Sequence, residues 1–164
     1  MADETRFHSA AEAANDPRVL AFGRLLGAAN RLEFLLGRDL EERLGLPHVM
    51  YELLLLVGRA GEEGLPIREI AQARVLTSGG ATRLVQRALA QGLVTRTHSA
   101  RDARVQLIHL TPVGARTATE ASNVHVRNIE RHLVDILGDD EMASFSTMIR
   151  KLSESAARSL PVMP

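Results

Sequence analysis

Apolar residues recur at three- and four-residue spacing through most of this chain, and the interruptions mark where its elements begin and end. The set Val19, Phe22, Leu25, Leu26, Ala29, Leu32, Leu36 and Leu40 makes one stripe, which predicts a helix from Asp16-Pro17 to about Arg43. Asp16 supplies a cap and Pro17 the first-turn proline. Gly45-Leu46-Pro47 breaks this helix, and a second follows over His48–Arg59 with Val49, Leu53, Leu56 and Val57 inward. Gly58 to Gly64 reads as a turn. In Pro66–Ala73 the residues Ile67, Ile70 and Ala71 lie on one face of a short helix, Arg74–Thr77 breaks it, and Thr77 caps the next. Ser78–Gln91 turns Ala81, Leu84, Val85, Ala88 and Leu89 inward, and Gly92 ends it as a left-handed cap. Val94–His98 and Arg104–Leu110 read as strands joined by the tip Ser99–Ala103. Thr111-Pro112 repeats the cap-then-proline signal and opens a helix to Leu137, a rod of roughly 39 Å at the usual rise. Gly138-Asp139-Asp140 closes that helix and caps the last, which carries Met142, Phe145, Met148, Ile149 and Leu152 and ends at Leu160-Pro161. Met1–Asn15 reads as an arm with a short Ala-rich helical turn.

Composition adds three constraints. At 164 residues the chain suits one domain with a real core, and its 45% hydrophobic but only 3% aromatic content makes that core aliphatic. Cysteine is absent, which excludes disulfides, thiolate metal sites and thiol redox switches. The N-terminus has no apolar signal core, and the longest apolar run, Leu53–Val57, is far too short to span a bilayer. These features predict a cytoplasmic protein with no membrane contact.

Charge is unevenly placed. The chain is neutral overall, yet Pro66–Arg116 carries eight arginines (68, 74, 83, 87, 96, 101, 104 and 116) against Glu69 and Asp102, a net of +6 that the remainder balances with −6. A concentrated basic segment in a neutral protein is a footprint for a polyanion. Opposite the apolar stripe of Ser78–Gln91 stand Ser78, Thr82, Arg83, Gln86 and Arg87, types that meet phosphates and base edges.

The run LPIREIAQARVLTSGGATRLVQRALAQGLVTR, with SARDARVQLIHLTPVG after it, resembles the winged helix-turn-helix of MarR-type transcriptional regulators. Asp102-x-Arg104 followed by Leu110-Thr111-Pro112-x-Gly114 carries the likeness most specifically, and Thr82–Val94 is nearly as specific. The flanking helices match in order and length. Ser78-Gly79-Gly80 and Gln86 depart from the common pattern. The resemblance implies a mainly α fold: one domain over 1–164, with a winged helix-turn-helix at 47–110, a small β-wing hairpin, and long N- and C-terminal dimerisation helices at 16–45 and 112–160. It also implies a homodimeric repressor of a pseudo-palindromic operator in double-stranded DNA, released by a small anionic or aromatic effector.

On this reading Thr77, Ser78, Gly79, Gly80, Thr82, Arg83, Gln86 and Arg87 meet DNA through the recognition helix. Gly79 and Gly80 let backbone N–H groups approach a phosphate. In the wing the resemblance sends Arg104 to the minor groove with Asp102 orienting it, while Arg101 meets a phosphate. Taken alone, Asp102 and Arg104 are an ordinary surface pair. Asn30, His48, Tyr51 and Arg116 are candidates for an effector cleft. The long amphipathic helices need a surface to cover them, and a two-fold partner answers that better than an intramolecular three-helix bundle. His125 and His132 are seven residues apart, which is not a chelating spacing, so no metal or other cofactor is expected. His98 and His109 lie on the wing strands. No phosphate-binding loop with a lysine, nucleophile elbow or paired zinc motif is present, so no enzyme is expected. Two other readings stand beside this one: a metal-responsive regulator of the same fold, and a winged-helix protein-interaction module without DNA binding.

Overall fold

In the computed structural model, described over residues 7–159, seven helices and three short strands build two regions. A five-residue helix α1 (Ala10–Ala14) leads into the long α2 (Pro17–Leu44). Asp16 accepts from the backbone N–H groups of Arg18 (2.8 Å) and Val19 (3.4 Å), which fixes where α2 starts. Gly45, at φ 62°, ends it, and Pro47 leads into α3 (His48–Ala60). Then come a 3₁₀ turn (Gly61–Glu63), β1 (Leu65–Pro66), α4 (Ile67–Ala73), α5 (Ser78–Ala90), β2 (Val94–His98) and β3 (Gln106–Leu110). The C-terminal part is α6 (Pro112–Ile129), a π turn (Glu130–Val134) and α7 (Asp135–Ser159).

The core lies between α3, α4, α5, the sheet and the facing sides of α2 and α6. Leu40, Met50, Leu53, Leu54, Val57, Ile70, Val85 and Ile108 are its largest fully buried side chains. The antiparallel sheet has the order β1-β3-β2, with Ile108 at its centre facing Leu65 on one side and Arg96 on the other. A mainly helical fold with a small wing is thus the observed architecture.

Three expectations are corrected. The chain at Pro66 is not yet helical: Leu65-Pro66 pairs with Leu107-Ile108 as a two-residue strand, too short to leave a period-two signal. β3 starts at Gln106 rather than Arg104, because the Asp102 carboxylate accepts the Arg104 backbone N–H (3.0 Å) and holds that residue in the tip. The helix from Pro112 to Leu137 is not a uniform rod, since one π turn interrupts it at Glu130–Val134. The break at Gly138 (φ 72°, ψ 168°) lies where the glycine signal put it. The expected end at Leu160-Pro161 is outside the described residues.

The stripes of the long helices are only partly covered. In α2, Leu36 and Leu40 are buried, whereas Val19, Phe22, Leu25 and Leu26 face solvent. In α7 no residue is buried, and Met148 and Leu152 are exposed. The three-helix bundle expected as the alternative therefore does not close within one chain.

Candidate nucleic-acid interface

The turn between α4 and α5 is closed by two backbone bonds, from Val75 N–H to the Gln72 carbonyl (3.2 Å) and from Leu76 N–H to the Ala71 carbonyl (2.9 Å). This closure places residue 75 in the left-handed region, where glycine is usual. Here Val75 occupies it at φ 51°, a costly conformation for a β-branched residue. Thr77 Oγ1 accepts the Gly80 N–H (3.1 Å) and starts α5. The far end repeats the closure with its normal residue: Gly92 N–H donates to the Leu89 carbonyl and Leu93 N–H to the Ala88 carbonyl, both at 3.0 Å.

Between these ends Ala81, Leu84, Val85 and Ala88 are buried. That leaves Ser78, Gly79, Thr82, Arg83, Gln86 and Arg87 exposed along the other side. Gly80 is half-buried, its N–H taken by Thr77. A side chain at Gly79 would meet no atom, so packing does not demand that glycine. Thr82 Oγ1 donates to the Ser78 carbonyl (2.9 Å), so its hydroxyl proton is taken and its oxygen is left as an acceptor. Neither Arg83 nor Arg87 has a carboxylate partner among the described residues. Their charge is uncompensated among the described residues.

The wing tip is tied by its own backbone. Ser99 N–H donates to the Val105 carbonyl and Val105 N–H to the Asp102 carbonyl, each at 2.9 Å. The Asp102 carboxylate then accepts from Arg104 Nε (3.2 Å) and Nη2 (3.3 Å) as well as from its backbone N–H. The Arg104 guanidinium and backbone N–H hold the Asp102 carboxyl below its usual range. Arg104 remains 92% exposed, so the pairing aims the guanidinium without hiding it. His98 Nδ1 lies 2.7 Å from the Ala103 carbonyl and His109 Nε2 lies 2.8 Å from Thr97 Oγ1. Both histidines brace the hairpin.

The sequence profile of the MarR family matches residues 44–105, from the end of α2 through the wing tip. A MarR family transcriptional regulator from Streptomyces coelicolor, Sco3205, solved in complex with DNA, is 27% identical over 93% of this chain and 92% of its own, with a TM-score of 0.77. Over residues 44–105 the chain is thus similar to the MarR family. AbsC, another MarR family transcriptional regulator from S. coelicolor, is 23% identical over 95% of this chain and all of its own, with a TM-score of 0.76. A mutant MarR from E. coli complexed with operator DNA is 22% identical over 82% and 95%, with a TM-score of 0.71. These two share the fold. A search of curated proteins found no match.

The family-like Leu110–Gly114 segment has a physical basis here. Thr111 Oγ1 donates to the Gly92 carbonyl (2.7 Å) and accepts the Gly114 N–H (3.0 Å), while Thr111 N–H donates to the Leu93 carbonyl (3.1 Å). This clamps the start of α6 onto the turn between α5 and β2. An added methyl at Gly114 would overlap the Leu93 carbonyl oxygen, so the motif glycine is required by that approach.

A second site lies between α2, α3 and α6. A cleft of about 230 Å³ there is lined by residues that include Glu33, His48, Glu52 and His125. Tyr51 is buried behind it, its ring 4.9 Å from that of His125 and its hydroxyl 3.1 Å from Ser122 Oγ. Of the four effector candidates, the structure brings His48 and Tyr51 together, with ring centres 6.2 Å apart. It does not bring in the other two. Asn30 is exposed on α2 and does not line the cleft, and Arg116 faces a separate groove with Ala115, Thr119, Glu120 and Asn123. Burial, and next the neighbouring His48, push His125 below its ordinary value. Glu33 and Glu52 were not singled out from sequence. The one available signal was that Glu52 follows His48 by four residues, one turn along the same face.

Proposed function

We propose that this chain is a DNA-binding transcriptional regulator that reads its operator as a homodimer. The observation that carries the reading is the side of α5 formed by Ser78, Thr82, Arg83, Gln86 and Arg87. Its two arginines have no carboxylate partner among the described residues, and it stands beside a wing whose Arg104 is aimed by Asp102. The DNA complexes of Sco3205 and of the E. coli protein support it by likeness. In this reading α5 enters the major groove, Thr77, Gly79 and Gly80 bring the helix start to a phosphate, Arg104 reaches the minor groove and Arg101 meets the backbone. The uncovered apolar residues of α2 and α7 form the two-fold interface, which sets half-sites about one helical turn apart. Repression, with release by a small ligand in the cleft beneath α2, completes the proposal.

The test is selection of bound duplexes from a random pool, followed by titration of the selected sequence. Enrichment of a pseudo-palindrome, bound as two protomers per duplex, is expected. With six to eight phosphates neutralised by the dimer, log affinity should fall against log salt with a slope of about −5 to −7. No enrichment, together with no change on Arg104→Ala, would favour a winged-helix protein-interaction module instead.

A further inference from the structure

Glu33 of α2 and His48 and Glu52 of α3 each present one ligand atom, and the three atoms lie within 4.8 Å of one another. His48 Nδ1 is 3.8 Å from Glu33 Oε1 and 3.9 Å from Glu52 Oε2. These separations are too long for hydrogen bonds, and among the described residues the buried His48 Nδ1 has no hydrogen-bond partner. They are close to the roughly 3.4 Å that separates two ligands at about 2.1 Å from one tetrahedral ion. Two carboxylates and a neutral imidazole match a doubly charged first-row transition metal in charge and in donor type. The π turn at Glu130–Val134 adjoins the same cleft through Ile129 and Leu133, and such turns recur at functional sites.

The cluster is also wired to the DNA-reading part. Arg74 Nη1 donates to Glu52 Oε1 (2.7 Å), and Nη2 pairs with Oε2. Arg74 is the residue that ends α4, immediately before the strained Val75 and the start of α5. One carboxylate is thus shared between the cleft and the helix-turn-helix turn.

We propose that Glu33, His48 and Glu52 bind a divalent transition-metal cation that competes with Arg74 for Glu52, loosening the turn before α5. The metal site stands on its own geometry, and only its consequence for DNA rests on the function proposed above. A cation drawing on Glu52 removes the partner that holds Arg74. Metal and operator DNA then oppose each other, and linkage makes the opposition equal in both directions.

Calorimetry of the metal-free protein with zinc and with manganese, in the absence of DNA, tests the site. One ion per protomer is expected. Glu33→Gln, an exposed change that spares the core, should weaken it by at least about a hundredfold, beyond what loss of an outer-shell partner costs, as should His48→Ala. Arg74→Ala, which removes the competitor, should bind the ion about tenfold tighter. Hydrogen exchange at the amides of residues 75–79 should speed up when metal is added to the wild type and stay unchanged in Glu33→Gln. Absence of binding, or equal affinity in Glu33→Gln and His48→Ala, overturns the site. Unchanged affinity in Arg74→Ala together with unchanged exchange overturns the competition. If the selected operator is bound, metal should weaken that binding in the wild type and not in Arg74→Ala. A protein that takes up metal with this pattern yet enriches no DNA sequence keeps the site and loses the regulator.

Discussion

Single residues set the two joints of the winged region. Gly114 is one: its α carbon lies against the Leu93 carbonyl, and Thr111 bonds across the same joint. Gly114→Ala should cost about 3 kcal/mol, at the upper end of overpacking penalties because the obstructing atom is backbone, as read from urea denaturation. Val75 is the other joint, left-handed without being glycine. Val75→Gly removes a conformational cost of about 1–2 kcal/mol and adds about 0.5–1 kcal/mol of unfolded-chain entropy. The variant should therefore be about 0.5–1 kcal/mol more stable in the same assay. Asp16 is a third local case. The Arg18 side chain, outweighing desolvation, and then the cap bonds lower its pKa from 3.8 to about 2. A carboxyl depressed in the folded state stabilises the start of α2 at every pH above about 4 and loses that contribution as pH falls through about 2. Amide shifts at Arg18 and Val19 should follow that midpoint, and Asp16→Asn should abolish the titration.

At the scale of elements, α5 and the wing divide the labour that the proposed function requires. Arg83 stands with Gln86 on the outward side of α5, where bidentate contacts with base edges would form. Arg101 stands at the wing tip and would contact only the backbone. Arg83→Ala should cost about 1–3 kcal/mol of operator binding and relax the preference at one position. Arg101→Ala should weaken all sequences alike and reduce the salt slope by about 1. Competition titrations against substituted operators at two salt concentrations separate the two outcomes. The same elements show how far sequence reading reached. Thr77, Gly92 and the α5 stripe were legible because caps and three-four spacing are local signals. β1 was not, because a two-residue strand exists only through its pairing with β3.

For the whole molecule, the proposed dimer surface decides the behaviour. Phe22 is 61% exposed and Leu26 48% exposed on a helix whose lower end is buried in the core. A contiguous uncovered stripe of this kind marks an association surface. Phe22→Asp with Leu26→Glu should yield a monomer by sedimentation. Loss of the second half-site contact should then reduce operator affinity by at least about a hundredfold through lost avidity. The small core of α3, α4, α5 and the sheet, which does not use these residues, should keep its cooperative unfolding.

Sequence alone determined the order of helices, the capped turn, the wing and the gathering of arginines in the middle third. Each of these is written in neighbouring residues, through periodicity, cap chemistry and local charge. Tertiary structure decided which polar residues meet. Glu33, His48 and His125 come from three different helices and converge only when α2, α3 and α6 pack. Asn30 and Arg116, equally plausible in the linear chain, are turned elsewhere by the same packing. A cluster assembled across helices leaves no spacing to read, because the distance along the chain between its members is set by loop and helix lengths rather than by the contact itself.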